Sequence, residues 1–253
     1  MIKGAERKTR DFSSDKPFLD HLEDLRRALI RCVLVLGVAV LVALPLAPLF
    51  LGILLAPLRQ AVPDADSMLR SLEVAGAFTV TLRIAFWSGL LVSSPALVFI
   101  IGQFVFPGLT AQERRVVARS GIWAVALFAL GAGLAYWVTL PVAIQVMFGL
   151  HAWLGVAAEW TVTSYVTFAT QLLIGFGLAF EMPVVVVILG RLGIVSSAQL
   201  RQARPLVVII LLVVAMVLTP PDIFTQLMMA VPLIVLYEGC IAVVRATERR
   251  AGR

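Results

Sequence analysis

Cysteine, histidine and tyrosine are scarce in this chain of 253 residues, with two, two and three copies, and only 14% of the residues are charged. Each scarcity removes a class of function. Cys32 and Cys240 stand far apart inside apolar runs, without the spacing of thiolate metal ligands and with no extramembrane disulfide framework to serve. His21 and His151 are the whole supply of imidazole. The topology argued below puts them on opposite sides of a membrane, so neither a Ser–His pair nor a His-rich metal site can assemble. No glycine-rich phosphate loop is present. The formal net charge of +6 and isoelectric point near 10.0 invite a nucleic-acid reading. The basic residues, however, come in short groups between apolar runs without interleaved aromatics, which argues for membrane orientation instead.

What the chain has in abundance is apolar surface: 60% of it is hydrophobic and the mean hydropathy is +0.98. Apolar runs cover residues 28–55, 78–104, 116–141, 165–192, 205–218 and 224–244. A run of about 20 residues crosses roughly 30 Å of hydrocarbon, so the expected fold is all-α: one polytopic domain, 1–253, with six transmembrane helices. Within it, 1–17 reads as a flexible N-terminus, 18–245 as the core and 246–253 as a tail. Residues 1–27 are too polar for a cleavable leader. Arg26-Arg27 ahead of an apolar run has the look of a targeting signal, but the run is too long and no small-residue cleavage site closes it.

Charge placement sets the topology. With six spans, eighteen of the 21 Lys and Arg residues fall on the side shared by both termini; only Arg59 and Arg70 fall opposite, with Arg83 near a helix end. This asymmetry places both termini in the cytoplasm, as expected of a bacterial inner-membrane protein. Residues 142–156 are apolar enough to suggest a seventh span, which would invert the basic C-terminal group, so they are assigned outside the span count. The fifth run is bounded by Pro205 and Thr219-Pro220-Pro221. That leaves about 14 residues, or roughly 21 Å of helix, and a span so short must thin the bilayer, tilt its neighbours or hide behind them. Pro57, Pro63, Asp64 and Asp66 mark one external connection; Trp153 and Trp160 mark another, at headgroup level. No internal repeat of the kind found in secondary transporters is visible.

Two glutamates sit where lipid should reject them, Glu181 and Glu238. An acid at a helix centre costs about 2.5 to 3.5 kcal/mol on insertion scales, so each must face protein, water or a cation. Glu181 is either a polar site in a cavity or a protonated acid bonded to a neighbouring helix. Pro183 should bend the helix beside it. Glu238 lies near Arg245 and reads as structural. Asp222, after Pro220-Pro221, is placed to cap the last helix. Along 18–29, Phe18, Leu22, Leu25 and Leu29 form an apolar stripe, with Asp20, Glu23, Asp24 and Arg27 on the other side, which predicts a helix lying along the inner membrane surface. Its acids are either a solvated face or a cation site. Glu113, in the cytoplasmic connection after the second span, caps or salt-bridges locally, or binds.

Five segments in order carry a family resemblance: His21-Leu22-Glu23-Asp24-Leu25-Arg26-Arg27; Ser93-Ser94-Pro95; Phe104-Val105-Phe106-Pro107-Gly108-Leu109 with Glu113-Arg114-Arg115; Gly177-Leu178-Ala179-Phe180-Glu181-Met182-Pro183; and Thr219-Pro220-Pro221-Asp222 with Leu236-Tyr237-Glu238. The chain resembles the TatC family from about Phe18 to Arg245. The resemblance implies a non-enzymatic receptor and scaffold for export of folded proteins. It would work with single-span TatA-type and TatB-type subunits in a multi-copy complex, driven by the proton gradient without cofactor, metal or nucleotide. It also implies that Glu113 and either Asp24 or Glu23 bind the paired arginines of a signal peptide, with Phe104 beside them. Glu181 would be the acid of an intramembrane pocket, and Pro57, Asp222, Gln226 and Glu238 structural or partner-contact positions. Asp24 stands where the family usually has glutamate, and Ile101-Gly102-Gln103 departs from its usual Gln-x-Trp. The alternative from another class is a proton-coupled secondary transporter with Glu181 as carrier.

Overall fold

The computed structural model describes residues 16–62, 65–70, 74–105, 111–218 and 223–250, with the side chains of 16–21, 66–67, 103–105, 111–120, 218 and 250 outside the description. Helix dominates. Helix α1 is Lys16–Ala43, a single element in which the expected surface helix and first span are continuous. The reason is visible in the sequence, since no glycine or proline interrupts residues 18–36 and the stripe of leucines runs directly into the apolar run. Pro45 then ends the helix, because it has no N–H to offer Leu41. The chain turns by 82° into α2, Ala47–Ala61. The apolar run 28–55 is therefore divided between two helices, a bent pair rather than one straight span.

A short helix α3 (Ala65–Met68) leads to strand β1 (Leu69–Arg70) and then the long helix α4 (Gly76–Val105). Helices α1 and α4 pack antiparallel. They come close at Gly89, where an added Cβ would stand 2.9 Å from both the main-chain nitrogen and a methyl of Val40. Small residues permit such backbone contact where lipid gives no hydrophobic drive between helices.

Helix α5 (Ala111–Leu134) runs through a π-helical turn, Ala135–Thr139, into α6 (Leu140–Leu154), which ends on Gly155 at φ 69°. Residues 142–154 are therefore helix continuing the third span and not a seventh crossing. Gly121–Leu154 counts 34 residues, about 51 Å at 1.5 Å each. That exceeds the length needed to cross a hydrocarbon core of about 30 Å. Strand β2 (Trp160–Thr161) pairs in parallel with β1, Leu69 opposite Trp160, and ties the two external connections together.

The fourth span is α7 (Val162–Ala179) followed by α8 (Met182–Arg191), interrupted at Phe180–Glu181. The break expected beside Pro183 is present. The Glu181 carbonyl accepts from the N–H groups of both Val184 and Val185. Gly177 lies against the ring of Phe128 and Gly131 against Phe176 and Phe180, which brings α5 and α7 into close contact. Helix α9 (Ser197–Gln202) precedes the short α10 (Arg204–Leu218) and the final α11 (Ile223–Arg250). Residues 246–250 thus extend the last helix.

Among the described residues, four helices are long and apolar enough to cross a membrane. The bent pair α1–α2 makes a fifth, and α10, at 15 residues, completes six as the short one. The core between them includes Leu58, Ile84, Leu140, Ile144, Leu172, Phe176, Met229 and Leu233, all under 2% exposed.

Candidate functional site

The expected cytoplasmic acids divide clearly. Glu23 is already engaged by its own helix: its carboxylate accepts from Arg27 Nε at 3.2 Å and lies 3.6 Å from Arg26 Nη1. These are the i, i+4 and i, i+3 spacings that bring opposite charges together on a helix face. Asp24, one residue on and turned by about 100°, is exposed and pairs with none of the described residues. The register of α1 against α4 locates it further. From the Gly89–Val40 contact, counting about 16 residues down both helices brings Val105 level with Asp24. The backbones of Phe104, at the end of α4, and Glu113, in the first turn of α5, therefore lie at the same end of the bundle as Asp24. The side chains of Phe104 and Glu113 lie outside the described residues, as does Asp222 altogether.

Glu181 stands at the interruption between α7 and α8 as the residue before the first turn of α8. The side chain is partly open, but its Oε1 is buried with no hydrogen-bond partner among the described residues. The other such atom is Thr139 Oγ1 in the π-helical turn. An unpaired polar atom in a low-dielectric interior is costly until a donor meets it.

Pro57 is more informative than its position in a loop suggested. It lies inside α2, where its missing N–H would have bonded the carbonyl of Ile53. The hydroxyl of Tyr136, from the π-helical turn, donates to that carbonyl at 2.7 Å, and the hydroxyl of Tyr165 donates to the next one, Leu54, at 2.6 Å. Tyr237 is the third tyrosine of the chain. It does the same at the other end of the bundle, donating to Leu200 O at 2.8 Å. All three tyrosines therefore fasten one element to the main chain of another. The proline inside an apolar run was the available sign of a carbonyl needing a donor; nothing local to the tyrosines indicated which one.

Where the start of α10 meets the second half of α11, Glu238 pairs with Arg204 at 2.7 Å and not with Arg245. Both side chains are about half exposed, so the pair contributes of order 0–1 kcal/mol. Glu248 lies beyond the apolar part of α11. It accepts from the Ser197 N–H at 2.7 Å and from its hydroxyl at 2.5 Å, satisfying a first-turn donor of α9. These bonds hold the Glu248 carboxyl below the ordinary 4.5. Helix α9 also has a reciprocal cap, Ser196 with Gln199, a Ser-x-x-Gln pattern that was readable in the sequence. Gln226 donates to Leu212 O at 3.1 Å, which joins α11 to the outer part of α10. Among the described residues, no three His, Cys, Asp or Glu side chains gather as a metal centre requires.

Comparison with known proteins follows the same outline. Residues 20–232 match the family model described as Sec-independent protein translocase protein (TatC). A protein of that name from Escherichia coli (strain K12) is 33% identical over 223 residues, covering 88% of this chain and 86% of that protein. One from Carboxydothermus hydrogenoformans is 34% identical over 234 residues, covering 91% and 94%. A crystal structure described as the twin arginine translocase receptor TatC superposes with a TM-score of 0.78 at 30% identity, covering 90% of this chain and 99% of that one.

Proposed function

The chain belongs to the TatC family of Sec-independent protein translocase proteins, and from that membership we propose that it receives twin-arginine signal peptides at the cytoplasmic rim formed by α1, α4 and α5. The observation that carries the residue assignment is the division of labour between neighbouring acids. Glu23 is neutralised by Arg26 and Arg27, whereas Asp24 presents an exposed carboxylate with no partner among the described residues. A guanidinium pair selects carboxylates that accept bidentate, charge-assisted bonds. Asp24 takes one arginine, Glu113 the other, and Phe104 flanks them.

The protein acts as a binding and scaffold component and not as a catalyst. It sits in the bacterial inner membrane with both termini cytoplasmic. There it assembles in several copies with single-span TatA-type and TatB-type subunits, and the proton gradient supplies the energy. Glu181, Gln226 and Pro57 belong to the scaffold and to its partner contacts.

The test is site-specific crosslinking of a twin-arginine signal peptide to the membrane complex, alongside export of its cargo. Asp24→Ala and Glu113→Ala should each weaken the crosslink roughly tenfold, the scale of losing one hydrogen bond to a charged group. Glu23→Ala should leave it nearly unchanged. If Glu23→Ala abolished the crosslink and Asp24→Ala did not, the assignment would pass to Glu23. An undiminished crosslink in the Asp24→Ala, Glu113→Ala double variant would remove these acids from the receptor site.

A further inference from the structure

Arg83 is a cation placed inside a membrane span. It stands seven residues along α4 from Gly76, about 10 Å in from the external end. One guanidinium N–H bonds the hydroxyl of Thr167 on α7, which itself donates to Thr163 O at 2.6 Å. Thr167 lies five residues, about 7 Å, from the start of α7 and its neighbouring Trp160. Two helices therefore fix this arginine at one depth, just below the external aromatic level.

A guanidinium has five N–H donors, and a single neutral hydroxyl leaves most of them unused. No carboxylate among the described residues pairs with Arg83. Its other nitrogens are not among the buried unpartnered atoms, which are Thr139 Oγ1 and Glu181 Oε1, so they open at the protein surface. Leu82 and Phe86, one residue before and three after Arg83 on α4, are exposed apolar side chains. A charge there is costly unless an anion meets it. At this depth the arginine stem reaches the phosphates of the outer leaflet by snorkelling.

We propose that Arg83, oriented by Thr167, binds the phosphate of an anionic outer-leaflet lipid and anchors the α4–α7 pair at the external membrane surface. The planar fork of arginine meets two phosphate oxygens at once. Thr167 takes one N–H and leaves the opposite edge of the guanidinium free for the lipid.

The experiment uses the purified full-length protein in neutral detergent, with phosphatidylglycerol as probe and phosphatidylcholine and inorganic phosphate as controls. Bound lipid is counted by native mass spectrometry, and thermal unfolding is followed in parallel. Phosphatidylglycerol should bind and raise the unfolding midpoint, and Arg83→Gln should weaken its binding roughly tenfold. Thr167→Val keeps the charge but loses its orientation and should weaken binding less, which keeps the test open if Arg83→Gln fails to fold. Equal phosphatidylglycerol binding by wild type and both variants overturns the proposal. A response to inorganic phosphate as large as that to phosphatidylglycerol overturns the lipid source. Loss in Arg83→Gln of a crosslink to a single-span partner, with lipid binding unchanged, overturns it in favour of a protein carboxylate.

Discussion

Removing the Tyr136 hydroxyl tests whether the buried proline and the tyrosine are one device. In Tyr136→Phe, the Ile53 carbonyl loses the donor at 2.7 Å, and Pro57 cannot replace it from within α2. A hydrogen bond of this kind contributes about 0.5–1.5 kcal/mol net, and an orphaned buried acceptor costs about 1–3 kcal/mol. Ile53 is 45% exposed, so the lower range applies and the expected loss is about 1 kcal/mol. The decisive measurement is a double-mutant cycle. Pro57→Ala restores an N–H at the position that bonds Ile53 O, so in that background the tyrosine hydroxyl becomes redundant. Tyr136→Phe should then cost close to nothing, giving a coupling of about 1 kcal/mol, well above the roughly 0.3–0.5 kcal/mol within which independent sites add. The assay is reversible unfolding in mixed micelles, read by helical circular dichroism, with cargo export measured on the same variants. Additive losses from the two substitutions would refute the reasoning, because they would mean the hydroxyl does not compensate for the proline.

Gly89→Val places a branched side chain where even a Cβ would meet Val40 main chain at 2.9 Å. Overpacking of this kind costs typically about 1–3 kcal/mol. A disulfide engineered between the cytoplasmic halves of α1 and α4 should form more slowly in that variant than in Gly89→Ser; equal rates would mean the helices do not meet there. At the other end of the bundle, the Glu248 carboxyl is held below its ordinary range by Ser197. A group with a depressed folded pKa contributes stability above its unfolded value and loses it as pH falls through the folded one. Hydrogen-exchange protection of the Ser197 amide should therefore be lost in the native chain as the pH falls through and below the ordinary carboxylate range and show no such step in Glu248→Gln. The same step in both would assign the acid sensitivity elsewhere.

The sequence disclosed those parts of the fold that depend on composition and on single strong residues. Six crossings follow from apolar runs and from the one-sided distribution of arginines, and the interruption beside Glu181 follows from Pro183, because a missing N–H is a local fact. What escaped were features fixed by contacts between distant segments. The 82° turn after Ala43 divides an apolar run that hydropathy reads as uniform. The continuity of α5 into α6 was hidden because hydropathy does not distinguish a helix that prolongs one span from the start of another. The apolar stripe over 18–29 predicts a helix but not its course: instead of standing as a separate surface element it runs without a break into the first span, as one helix Lys16–Ala43. Glu238 was placed beside Arg245 by sequence proximity; in space it meets Arg204, more than thirty residues away. The division between Glu23 and Asp24 required side-chain geometry, since both acids belong to one acidic turn.

The polar fastenings are not distributed evenly through the membrane. Tyr136 and Tyr165 on α2, the Arg83–Thr167 bond and the β1–β2 pair lie toward one end of the bundle. Arg204–Glu238, Tyr237 on Leu200 and Glu248 on Ser197 lie toward the other. Between these two rims the helices meet through glycines and apolar rings, at Gly131, Gly177 and Phe180. Such contacts hold by shape and dispersion and leave no spare donor or acceptor for a ligand. Glu181 interrupts that middle layer with a carboxylate oxygen that finds no partner among the described residues. A framework pinned at both ends keeps the break between α7 and α8 from closing by sliding one helix past the other. The acid therefore stands in the middle layer of the bundle, between the two sets of fastenings.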